Sequence, residues 1–157
     1  PIRRYGQYLL NLQIKNHGAL AAIARGTATF DDLDTMIAMA NMAEALCKLG
    51  FGKDYSDIVT KGQQALIAVA TRAAKTGSYT LWAAELKALN ELMELHDAQL
   101  ELCTVKDIER GIEIVKKSIR QASTVRLPLP AQRPQQRRES IEENRNSHLQ
   151  DHGGTRN

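Results

Sequence analysis

The chain has 157 residues, 43% of them hydrophobic but only 4% aromatic, and its formal net charge is +3. That length suits one domain, and an aliphatic, alanine-rich core favours close-packed helices over sandwiches, which prefer aromatic and β-branched residues. No run of about 18 apolar residues is present, so no membrane-spanning helix is expected.

No signal-peptide pattern follows Arg3 and Arg4, and the opening Pro1, in place of Met, points to a trimmed start. Charge is unevenly placed: residues 1–26 carry Arg3, Arg4, Lys15 and Arg25 with no acid, and residues 27–120 are net acidic. Cys47 and Cys103 fall in separate apolar stripes, too few for the disulfide framework of a small secreted chain. They read as buried thiols acting as small hydrophobes, which brings the expectation of a cytoplasmic protein.

Residues 1–13 read as a basic N-terminal arm, extended or in a short helix, because Tyr8, Leu9, Leu10, Leu12 and Ile14 follow no clear period. A helical domain is expected over 14–121, beginning with a short helix from Gly18 to Arg25 that Asn16 caps and Gly26 closes. Thr29 then offers its hydroxyl to free amides, and Asp32 sits where a capping-box carboxylate belongs. Leu33, Ile37, Ala40, Ala43 and Cys47 give the following helix one buried face, up to the stop at Gly50.

A third helix, about 54–75, has Ile58, Val59, Leu66, Val69 and Ala73 on its apolar side. Gly62 within it costs about 1 kcal/mol against Ala, so close packing against a neighbour is expected there. Gly77 ends that helix, and Ser78 or Thr80 begins the fourth. Trp82, Leu86, Leu89, Met93, His96, Leu100 and Cys103 then recur by fours and threes, as in the seam of an antiparallel bundle. Thr104 and Asp107 repeat the capping pattern before a fifth helix, about 105–121, that buries Ile108, Ile112, Val115 and Ile119. Residues 122–157, with Leu127-Pro128-Leu129-Pro130 and a polar remainder, read as a Pro-containing linker and disordered tail. The fold expected is all-α: a compact bundle of about five helices followed by that polar tail.

Candidate chemistry is sparse. Glu94, Asp97 and Glu101 share one helical face that carboxylate-held Mg²⁺ or Mn²⁺ would suit. Di-iron bundles place Glu three residues before His, and here Met93 stands before His96, so a solvated acidic face is the plainer reading. His96 lies in the apolar stripe as a buried, hydrogen-bonded histidine or as a group tuning an interface with pH. Gly50-Phe51-Gly52-Lys53 lacks the spacing of a phosphate loop. No catalytic, metal or cofactor residue and no small-molecule substrate are therefore assigned.

The passages Ile14-Lys15-Asn16-His17-Gly18-Ala19-Leu20, Met42-Ala43-Glu44-Ala45-Leu46 and Glu94-Leu95-His96-Asp97-Ala98-Gln99 resemble small, mostly uncharacterised helical accessory proteins of bacterial phages and plasmids. The resemblance covers about residues 14–120, brings no catalytic motif and implies a mobile-element setting. The function expected is non-enzymatic: protein–protein contact, with self-association into a homo-oligomer, through Trp82, Leu86, Leu89, Met93 and His96. The alternative is a nucleic-acid-binding regulator, using a helix-turn-helix-like turn at 73–86 and phosphate contacts from Arg3, Arg4 and Lys15. Glu85 and the apolar Trp82 and Leu86 suit a recognition helix poorly.

Overall fold

The computed structural model describes residues 2–121, with side chains from residue 5 onward. Five α-helices follow in order: α1 (Ile2–Ala24), α2 (Phe30–Lys48), α3 (Ser56–Thr76), α4 (Ala83–Leu102) and α5 (Val105–Arg120). A single 3₁₀ turn, Lys53–Tyr55, leads into α3, and no strand occurs among the described residues. The all-α reading holds; the expected linker and tail at 122–157 lie outside the described residues.

The boundary expected at residue 14 does not exist. Helix α1 runs unbroken for 23 residues, so the supposed arm is its first half and Asn16 is a mid-helix residue, not a cap. The period is real. Leu9 and Leu12 are half-buried, and Asn16, Ala19, Leu20 and Ile23 are buried, all on one side of the helix. Two things hide it in the sequence. A polar residue, Asn16, fills a core position, while Leu10 and Ile14 point away from the core, 49% and 62% exposed.

Helix α2 begins as expected but by a different hydrogen-bond pattern. Asp32 Oδ2 accepts from the Thr29 amide at 2.8 Å and from the Thr29 hydroxyl at 3.0 Å. The hydroxyl thus donates to the carboxylate, which does the capping. Asp31 and Asp32 in the first turn and Lys48 in the last also complement the helix dipole. At α5 the reciprocal box is complete: the Asp107 amide donates to Thr104 Oγ1 at 3.3 Å, and Asp107 accepts from the Thr104 amide at 3.0 Å.

Helix α4 starts later than Ser78 or Thr80. Residues 78–82 form no regular secondary structure, and Trp82 is the N-cap, extended at φ −87° and ψ 157°. Glu85 Oε2 accepts from the Trp82 amide at 2.8 Å, so the carboxylate three residues on caps the helix without help from a hydroxyl. Before it, Gly77 closes α3 at φ 74°, a conformation that side chains with a β-carbon disfavour, and its amide reaches Ala73 O at 2.7 Å.

Helix α2 is the centre of the molecule, packing on α1, α3, α4 and α5. Helix α4 lies against α1, α2 and α3, while α5 rests on α2. Met36, Ala40, Leu46, Leu66, Leu89 and Leu92 are fully or almost fully buried where these helices meet. A second, smaller cluster of Leu46, Leu100, Cys103 and Ile108 ties α5 to the end of α4. Burying each large aliphatic side chain contributes about 1.5–3 kcal/mol, so this shared core accounts for the bundle. No described helix is long and apolar enough to cross a membrane.

Candidate functional site

The expected partner face divides into two parts. Leu89, Met93 and His96 are 0%, 2% and 1% exposed and lie inside the chain's own core, where no partner reaches them. Leu86 is half-buried. Trp82 is the exception, at 66% exposed, because it precedes the helix whose stripe it was expected to open.

Trp82 is nonetheless held in place. The Arg72 guanidinium, from α3, lies 4.6 Å from its ring centroid, a cation–π distance. The same guanidinium donates to Thr80 O at 3.0 Å and pairs with the Glu85 carboxylate. Glu85 in turn binds the Trp82 amide. Arg72 and Glu85 side chains are only 19% and 11% exposed, so the pair is shielded from solvent and fixes the turn between α3 and α4. Tyr79, Leu81 and Leu86 pack beneath this corner against the main core. An indole is thus presented to solvent on a preorganised support. Arg72 was not singled out in the sequence, since its ten-residue separation from Trp82 spans the turn that joins them.

The helix-turn-helix reading meets the same geometry from the other side. Helix α4 buries Leu89, Leu92, Met93, His96 and Leu100 against its neighbours, so those side chains are not available for contacts outside the chain. Lys15 is exposed on α1; Arg3 and Arg4 belong to the first turn of α1, and their side chains are outside the described set.

The carboxylates of α4 do not converge. Asp97 accepts from Gln13 at 3.3 Å and pairs with His17 Nε2 at 2.7 Å, which joins α4 to α1, while Glu94 and Glu101 are exposed. Among the described residues, no three His, Cys, Asp or Glu side chains are grouped to hold a metal ion. Both cysteines are free and buried. Burial pushes the Cys47 thiol up, and burial together with the Asp107 carboxylate pushes Cys103 to about 11, so both stay protonated near neutrality. Burial holds His96 down at about 4, leaving its ring neutral; its Nδ1 makes a long 3.4 Å contact with Gln99 Oε1.

Recesses also open among the described residues, and two of them bear on binding. An open groove of about 570 Å³ lies between the end of α2 and the start of α3. Glu44, Lys48 and Lys53 are its charged residues, and Glu44 is occupied by Lys48 and by Gln63 at 3.0 Å. Burial opposes ionisation of Glu44, but these hydrogen bonds outweigh it and hold the carboxyl below the usual range. The second recess, about 170 Å³, is largely apolar and sits among α1, α2, α4 and α5.

The chain matches no family model, no curated protein and no solved structure.

Proposed function

We propose that this chain is a non-enzymatic helical interaction protein that self-associates through the corner bearing Trp82. One observation carries the reading: the chain's single tryptophan is two-thirds exposed yet locked between Arg72 and the capped start of α4. Exposing an indole wastes one of the largest apolar surfaces available to a side chain, of order 150–250 Å². Fixing it lowers the entropy lost on docking, which is the property of an anchor residue in an interface, where Trp and Arg are enriched. A second copy is the occupant proposed, since one patch meeting itself across a two-fold axis closes the assembly.

Both thiols are protonated and His96 is buried and neutral, while the exposed His17 is engaged by the Asp97 carboxylate. This favours binding over catalysis. The bacterial mobile-element setting rests on the resemblance of passages in α1, α2 and α4. Sedimentation of wild type and Trp82→Ala over a wide concentration range tests the reading. A concentration-dependent dimer that Trp82→Ala abolishes, with helicity retained, supports it; a wild type that stays monomeric at the highest concentration refutes it.

A further inference from the structure

We infer that the first half of α1, up to His17, is a latch that opens about Gly18 and governs access to the junction of α4 and α5 around Cys103. The two halves of the helix are held very differently. Beyond the joint, Ala19, Leu20 and Ile23 are 3%, 5% and 1% exposed and belong to the main core with α2, α3 and α4. Before it, Leu9 and Leu12 are only half-buried and pack on the smaller cluster of Leu46, Leu100, Cys103 and Ile108. Tyr8, Leu10 and Ile14 in the same half are exposed.

The joint itself is weak on two counts. Asn16 is 2% exposed and its Nδ2 has no hydrogen-bond partner, a cost that hydration relieves once the segment lifts. Gly18 sits in the helix interior, where glycine is a poorer helix former than alanine. Neither packing nor backbone geometry calls for glycine there. A β-carbon at 18 would meet nothing within 4 Å, and Gly18 is not among the glycines with positive φ.

Among the described residues, three polar contacts hold the latch closed. Tyr5 Oη donates to Cys103 O at 3.2 Å, and Gln13 Nε2 donates to Asp97 Oδ1 at 3.3 Å. His17 Nε2 meets Asp97 Oδ2 at 2.7 Å. Two of the three thus fall on one carboxylate side chain, which is 25% exposed and open to competition from water. Opening breaks these contacts and those of Leu9 and Leu12 while leaving the main core whole, so it is a local event. It bares Cys103 and Leu100, which are 7% and 1% exposed when the latch is closed. The Trp82 corner, at the other end of the twenty-residue α4, lies about 30 Å away and is not disturbed.

The test is iodoacetamide labelling of the full chain, read at Cys103 by peptide mass spectrometry, together with amide exchange. Labelling of Cys103 should hardly change in low urea, because a local opening exposes little surface. Amides of 9–17 should exchange faster than those of 20–24. Asp97→Ala should speed labelling about fivefold and quicken exchange at 9–17 alone, through loss of two hydrogen bonds. Gly18→Ala, which meets no neighbour, should slow labelling by about the same factor. A Cys103 rate that rises steeply with urea from the outset means that only global unfolding bares the thiol, and overturns the inference. Equal protection of 9–17 and 20–24 overturns it too. So does an Asp97→Ala variant whose α2 amides quicken as much as those of 9–17, or a Gly18→Ala variant labelled as fast as wild type.

Discussion

A β-carbon added to Gly62 of α3 would lie 2.5 Å from Leu92 Cδ2 and 3.0 Å from Leu92 Cβ of α4. Contacts under 3.0 Å do not persist, so only glycine lets α3 and α4 approach this closely. Leu92 is 0% exposed and enclosed on all sides, with no room to retreat.

Gly62→Ala should therefore destabilise the protein by about 1–3 kcal/mol, even though alanine gains about 1 kcal/mol in helix propensity. Gly111 of α5 is the control. There the obstacle is the Met42 thioether at 2.8 Å, the flexible end of a half-buried side chain. Met42 can turn aside, so Gly111→Ala should be neutral or stabilising by up to about 1 kcal/mol. Urea unfolding of the two variants measures both; a Gly62→Ala midpoint equal to wild type contradicts the packing described.

Gln99 is a polar strut in the core, 2% exposed. Its Nε2 donates to Phe51 O at 2.9 Å and to Ala43 O at 3.1 Å, and contacts Cys47 Sγ at 3.3 Å. It thereby joins α4 to the end of α2 and to the turn that follows. Gln99→Met keeps the size but strands the Phe51 carbonyl, for an expected loss of about 1–3 kcal/mol. The urea midpoint should fall at constant slope, and amide exchange around 50–53 should quicken. An unchanged midpoint would show that water or a rearranged turn replaces the donor.

His96 makes stability depend on pH in a defined window. Its folded pKa, about 4, lies below the ordinary 6.5, because burial penalises the imidazolium. The unfolded chain therefore binds the proton more readily than the folded one. The contribution of His96 is complete above about pH 6.5, declines as pH falls, and levels off near pH 4 after a loss of about 3 kcal/mol. The carboxyls of Glu44 and Asp107, held low by their hydrogen bonds, give way only below the usual carboxylate range. Comparing wild type with His96→Met between pH 6.5 and 4.5 isolates the effect. The wild type should lose stability relative to the variant; parallel curves would mean that the ring accepts its proton inside the fold.

Much of this architecture was legible in residue spacing. The starts of α2 and α5 are written in short polar side chains followed by Asp three residues on, and Gly62 announced close packing. The stripe from Leu89 to Cys103 is buried as its period implied. The unbroken course of α1 through its first half was missed because hydrophobic periodicity presumes apolar core positions, and Asn16 occupies one. The start of α4 was missed because Ser78 and Thr80 are better capping side chains than Trp82, whereas the cap is Glu85 acting on a backbone amide. The candidate interface was half visible: Trp82 stood out as the sole indole, but its exposure and its Arg72 support depend on how the 77–82 turn folds back.

Trp82 also furnishes its own test, since it is the sole tryptophan and its emission reports one environment. The fluorescence maximum and iodide quenching of the wild-type chain should be followed from nanomolar concentrations to the highest attainable. Dilute protein should emit at long wavelength and be readily quenched; on concentration the maximum should move blue and quenching fall, in step with dimer formed by sedimentation. A spectrum and quenching constant that do not change with concentration, or a dimer that forms while Trp82 stays open to iodide, would contradict self-association through this corner.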